Sequence, residues 1–315
     1  MPDVEIEEIS QTQNTRGHDS VDGIIIADKP RGITSFKVVK FLMGTLKTKV
    51  GHLGTLDPNA TGILPCLVGR ATRLVEYLQD VDREYISEIL LGVRTDTDDI
   101  TGKPIYQKDP SEITKDKIEK TVFSFLGSFK QRPPHFSSKK YEGKKLYEYA
   151  RKNQFIDLPP VDVMIYSIDI ISINIPVVKI RLVSSVGMYV RALARDIGEI
   201  LGCGATLMSL RRIRYGIFSD NHSINFEQLK HFQKEKIISS IMRITPEILN
   251  MRGVILRGEN MRRVVNGGSP KVKIQGENFE KIAICDDKHR VVAIGHIHSG
   301  DVIIDKVISQ PSLPL

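Results

Sequence analysis

A chain of 315 residues with 41% hydrophobic and 26% charged side chains can bury a large core, and its length fits two domains. No apolar run approaches the roughly 18–20 residues of a membrane-crossing helix. Cys66, Cys203 and Cys285 are odd in number and too far apart for a disulfide framework or a zinc pair, which suits a reducing cytoplasm. The net charge of +7 is uneven. Asp3, Glu5, Glu7, Glu8 and Asp19 stand against Arg16 in residues 1–21, a local −4, and the remaining +11 suits a polyanionic partner.

The acidic, polar stretch 1–21 lacks the apolar core of a secretory signal and reads as a disordered tail. Val21 to Ala27 reads as a buried strand, followed by the turn Asp28-Lys29-Pro30-Arg31-Gly32. Thr34 or Ser35 can cap a helix on which Phe36, Val39, Met43 and Leu46 recur at helical spacing. Residues 51–65 hold too many glycines and prolines for a helix and too little alternation for an ordinary strand. Pro58 pushes Asp57 out of the helical region, so this carboxylate sits on a stiff turn. Such a turn presents a reactive group well, although most Asp-Pro turns are structural.

Gly69 to Gln79 reads as a helix with Leu74, Val75 and Leu78 on one side. Its Arg70 and Arg73 suit a phosphate or a solvated face equally. A strand from Arg83 to Leu91 ends at Gly92, and Arg94 to Asp99 reads as an exposed loop without the glycine and glutamate of an EF-hand. Thr114 can cap a helix bearing Ile118, Val122, Phe125 and Leu126, stopped by Gly127. Pro133 to Gly143 starts rigid, turns basic and leads into a short helix through Tyr147 and Ala150. Val178, Ile180 and Leu182 alternate with Lys179 and Arg181 as in a half-buried strand.

From Val190 a helix carries Leu193, Ala194, Ile197, Ile200 and Leu201 on one stripe, with Arg191 and Arg195 opposite and Gly202 as its end. Arg191 falls at the helix start, where the dipole opposes a cation unless an anion compensates, and Asp57 is the candidate. Asn225 to Ile248 reads as helical, and a boundary falls near 250. Beyond it Lys281 to Cys285 and Arg290 to Ile297 form a β-hairpin pattern. His296 and His298 share a strand face, but two ligands make a poor metal site. No metal and no cofactor are expected.

The run Gly51-His52-x-Gly54-Thr55-Leu56-Asp57-Pro58-x-Ala60-x-Gly62-x-Leu64 resembles the signature of the TruB family of tRNA pseudouridine synthases. Similar matches follow in order: Lys29-Pro30-x-Gly32, Arg83-x-Tyr85, Gly92-x-Arg94-Thr95-Asp96-Thr97-x-Asp99, the Pro134 to Arg151 run, Gly187-x-Tyr189-x-Arg191, and Gly202 through Leu210-Arg211-Arg212. Together they cover about residues 22 to 310. Ser138 replaces the usual alanine, and Val186 and Met188 replace a lysine and a threonine, which removes one potential phosphate ligand.

The resemblance implies an α+β fold: a mixed, largely antiparallel sheet with flanking helices, carrying the catalytic domain over 22–250. It implies a small β-rich PUA-like RNA-binding domain over 251–315. The implied reaction is isomerisation of uridine 55 in the T-arm loop of tRNA to pseudouridine, after the base is flipped out. Asp57 and Arg191 would be the catalytic pair. Tyr85 and Tyr189 would stack on the base, His52 would fill the space it vacates, and Leu210 would pack against it. The expected protein is a cytoplasmic monomer with tRNA as partner and no obligate protein partner. Competing readings are a guide-RNA-dependent enzyme of ribosomal RNA and a non-catalytic RNA-folding factor.

Overall fold

A computed structural model describes residues 22–137, 139–152 and 154–308; the expected tail over 1–21 and Ser138 lie outside the described residues. Eight strands form the path of the main sheet: Gly23–Lys29 (β1), Thr61–Val68 (β2), Arg83–Leu91 (β3), Gly127–Gln131 (β4), Val161–Asn174 (β5), Val177–Ser184 (β6), Ala205–Tyr215 (β7) and Ser223–Asn225 (β8). Their order is β8-β1-β2-β7-β3-β6-β5-β4, and Val50–His52 on β2 and Phe218–Ser219 on β7 bring the sheet to ten strands. Only β8–β1 and β2–β7 pair in parallel along this path. The expected mixed, largely antiparallel sheet is therefore present.

Ser35–Leu46 (α1) starts at Thr34, whose side chain accepts from the Lys37 amide. It packs Val38, Val39, Leu42 and Leu46 against β1 and β2. Lys115–Phe123 (α2), capped by Thr114, and Val190–Leu201 (α3), ended by Gly202 in the left-handed region, cover β3, β5 and β6 through a second cluster. Leu210 touches both clusters and so lies at their junction.

Several local expectations are corrected. The apolar residues of α1 surround much of the helix, and packing selects the stripe through Val38 and Leu42, leaving Phe36 63% exposed. Ile200 on α3 and Leu126 are exposed too. Gly69 to Gln79 is a 3-10 turn, Gly69–Leu74, running into a single α-turn, Val75–Leu78. Asn225 to Ile248 breaks into two short helices, Phe226–His231 and Lys234–Ser239, with irregular chain after them. The acidic loop after β3 turns its last two carboxylates inward instead of lying exposed. Asp98 meets Arg195 at 3.3 Å, and Asp99 accepts from the Thr101 amide at 2.9 Å, so these carboxylates are spent on internal partners.

Beyond 250, Arg252–Ile255 (β9), Lys281–Cys285 (β10), Val291–His298 (β11) and Asp301–Val307 (β12) form a four-stranded sheet, joined by a helix Gly258–Val265 (α4) that the sequence pattern did not suggest. This is the expected β-rich C-terminal part. One side packs on α4 through Met261, Val264, Ile282 and Ile284. The other side, through Ala283, Cys285, Val291 and Ile294, shares a cluster with Ile24, Ile26, Ile63 and Leu67 of the main sheet.

Candidate active site

The segment between Val50–His52 and β2 carries Asp57 and is held from several sides. The Ser35 hydroxyl donates to the Leu56 carbonyl and accepts from the Leu56 amide, both at 2.9 Å. The Pro58 carbonyl accepts from the Gly32 amide at 2.8 Å and from the Lys29 ammonium at 3.4 Å. From β7, Arg212 donates to the carbonyls of Gly54 and Ile63 at 2.9 and 2.8 Å. Gly62 has φ +103°, and a Cβ there would lie 2.1 Å from the Arg212 carbonyl, so only glycine lets the two backbones approach. The turn expected from glycine and proline is thus also a clamped one.

Arg191 does what its position at the start of α3 demands. Its Nε donates to Asp57 Oδ2 at 2.8 Å, while its two terminal nitrogens donate to the carbonyls of Thr97 and Phe136 at 3.0 and 2.8 Å. A charge-assisted hydrogen bond contributes about 1.5–3 kcal/mol, against about 0.3–1 kcal/mol for a cation opposing the helix dipole. The pair is asymmetric: the Arg191 side chain is 5% exposed and that of Asp57 39%. A buried, fully bonded guanidinium holds a carboxylate that still faces solvent. That carboxylate is free to meet a substrate.

Tyr189 precedes α3, with its backbone amide and carbonyl bonded to the Gln131 side chain at 2.8 and 3.1 Å. Burial raises its phenol pKa, and the charges of Asp57 and Arg191 both reach it. Tyr85 on β3 is buried and lies opposite Arg212 in the β3–β7 register, near enough to act on that guanidinium's charge. His52 leads into the loop. Burial first, then Arg212 and Lys145, hold its pKa below the ordinary histidine value, and its Nδ1 is buried without a partner. A neutral ring suits filling a gap better than gripping a phosphate. Leu210 on β7 pairs with Ser87 on β3. Asp57 and Arg191 are joined directly, the charges of both reach Tyr189, Arg212 acts on His52 and faces Tyr85, and Leu210 stands two residues before Arg212 on β7.

Two residues quoted in the motifs without a role belong to the same region. Lys29 is fully buried at the end of β1, where its ammonium also donates to the Pro30 and Ile33 carbonyls at 3.0 and 2.9 Å. Burial lowers its pKa to about 8, opposed by Asp57 and assisted by Arg212. Arg212 is buried as well. A lysine closing an apolar strand was the available signal for the first; nothing in the spacing marked the second. Among the described residues, no group of three His, Cys, Asp or Glu is placed to hold a metal.

The fold and the Asp57 site define a pseudouridylate synthase architecture, and comparison with known proteins narrows it. Residues 40–190 match the family model described as TruB family pseudouridylate synthase, N-terminal domain. Residues 191–256 match the tRNA pseudouridylate synthase B C-terminal domain. The chain belongs to the TruB family. It is 38% identical over 277 residues to tRNA pseudouridine synthase B of Clostridium kluyveri, covering 88% of this chain and 93% of that one. It is 40% identical over 279 residues to the enzyme of that name from Dehalococcoides mccartyi, covering 87% and 92%. In fold it resembles a chain from an archaeal box H/ACA sRNP Nop10-Cbf5 complex, with TM-score 0.67, 24% identity, and 92% and 87% of the two chains covered.

Proposed function

We propose that this protein isomerises uridine to pseudouridine in tRNA, at position 55 of the T-arm loop. The observation that carries the reading is the half-exposed Asp57 carboxylate held at 2.8 Å by buried Arg191, in a chain similar to proteins named tRNA pseudouridine synthase B. The reaction breaks the bond from ribose C1′ to N1, forms one from C1′ to C5, moves the C5 proton off the base and returns a proton to N1. Nothing is gained or lost. Asp57 is the reactive carboxylate, and Arg191 fixes its direction and balances its charge. Tyr85 and Tyr189 form the stacking surfaces for the extruded base, an interaction of about 1–3 kcal/mol per base. Leu210 packs against the base, and His52 fills the space it leaves.

The catalytic unit spans 22–250, and the PUA-like unit over 251–315 adds affinity for RNA. The protein acts as a cytoplasmic monomer without cofactor or obligate protein partner. The guide-RNA-dependent reading draws only on fold resemblance. The test is incubation of purified protein with a bare tRNA transcript, followed by pseudouridine mapping. Modification at the T-arm uridine without added RNA or protein is expected. Asp57→Asn keeps the shape of the turn and is expected to lower the single-turnover rate at saturating tRNA by about a thousandfold or more, with binding retained. A rate within about tenfold of wild type would remove Asp57 from the reaction.

A further inference from the structure

The Asp57 segment leads into β2 and Tyr85 lies on β3, and one side chain from β7 reaches towards both. Arg212 bonds the Gly54 carbonyl at one end of the segment and the Ile63 carbonyl at the other. Its guanidinium lies 5.1 Å from the centre of the Tyr215 ring, and Arg212 faces Tyr85 directly across the pairing of β3 with β7. On the same ring lies the Arg83 guanidinium at 4.8 Å, and Arg83 donates to the Tyr215 hydroxyl at 3.3 Å. Gly54 has φ +63°, and a Cβ there would meet the Tyr215 ring at 2.8 Å and Arg212 Nη1 at 3.0 Å. The packing around the guanidinium leaves no slack.

The charge is the unusual part. Arg212 is 1% exposed, and the groups that act most on its charge are Tyr85, Arg83 and Tyr215, none of them a carboxylate. Burying a cation without a paired anion costs several kcal/mol. A neutral side chain would fill the space more cheaply. Two carbonyls at opposite ends of one segment, by contrast, call for a planar fork with several fixed donors, and arginine alone supplies one.

We infer that Arg212 is a positioning residue of the reaction: it clamps both ends of the Asp57 segment, faces Tyr85 across the strand pair, and so sets where the base-contacting tyrosine lies relative to the reactive carboxylate. Displacement of a reacting group by about 1 Å can cost a hundredfold in rate. This role rests on the proposed parts of Asp57 and Tyr85.

The test is a double-mutant cycle in the full chain, read as single-turnover rate at saturating tRNA alongside tRNA affinity and thermal melting. Arg212→Lys keeps the cation and loses the fork; Arg212→Gln removes the buried charge as well. Either change alone is expected to lower the rate by about 30-fold or more while tRNA affinity stays within about threefold. In a Tyr85→Phe background, the same change is expected to cost at least about threefold less than in the wild type, because the share of the loss that ran through the tyrosine is gone while the clamp on Gly54 and Ile63 is still broken. Equal losses in both backgrounds, a wild-type rate, or failure of both variants to fold would each overturn the inference and leave Arg212 a packing residue. An active Asp57→Asn protein would instead sink the functional reading beneath it.

Discussion

Lys29 shows how a single residue can tie the site to pH. Its ammonium is enclosed by the Pro30, Ile33 and Pro58 carbonyls, and it sits close enough to Asp57 for the carboxylate to oppose the effect of burial. Burial still outweighs the carboxylate, and the pKa falls to about 8 from the ordinary 10.5. A lowered lysine pKa means the cation is present below pH 8 and lost as pH rises through it. The single-turnover rate is therefore expected to fall above about pH 8. Lys29→Met should lower the rate by about 10- to 100-fold below pH 8, with the deficit closing above it, and erase that break, since no titrating cation remains. A pH–rate profile of the two proteins at saturating tRNA checks this; an unchanged break in Lys29→Met assigns it elsewhere.

Elements obey their local signals where backbone chemistry decides and depart from them where packing does. Thr34, Thr114 and Gly202 end their helices where a cap was legible. Two glycines with positive φ separate the causes. Gly202 has φ +75° and open space where a Cβ would stand, so Gly202→Ala meets only the left-handed backbone, costing about 1–2 kcal/mol. Gly62 adds a 2.1 Å collision with the Arg212 backbone. Gly62→Ala is expected to cost about 3 kcal/mol or more, and to reduce activity as well because β2 and β7 are forced apart beside Asp57. Thermal melts of the two variants measure the difference; equal shifts would show that the strands separate freely.

At the scale of the whole molecule, the C-terminal sheet supports the catalytic one. Ile24, Ile26, Ile63 and Leu67 lie in one cluster with Ala283, Cys285, Val291 and Ile294. Ending the chain at 250 uncovers that face. The shortened protein is expected to melt at least about 10 °C lower or to aggregate, since several fully buried aliphatic side chains, each contributing about 1.5–3 kcal/mol, lose their cover. Affinity is better tested with the fold intact. Lys271, Lys273 and Lys288 are exposed, and replacing all three with alanine is expected to weaken tRNA binding. The salt slope should fall by about 0.9 for each phosphate that is no longer neutralised, with the single-turnover rate at saturating tRNA unchanged. An unchanged slope would take these lysines off the RNA path.

The sequence alone determined the turn at Asp57, because glycine and proline restrict the backbone wherever they stand. It also determined the need for an anion beside Arg191, because a helix start repels a cation before any tertiary interaction forms. The C-terminal hairpin was legible for the same local reason. Only the tertiary structure decided which stripe of α1 is buried, since Phe36 and Val38 are both apolar and the partner strands choose between them. It alone turned the polar loop after β3 inward, because Arg195 arrives from α3 to meet Asp98. The part played by Arg212 was hidden for that reason: its charge is spent on Gly54 and Ile63, residues far away in the chain that meet it only when β2 and β7 pair.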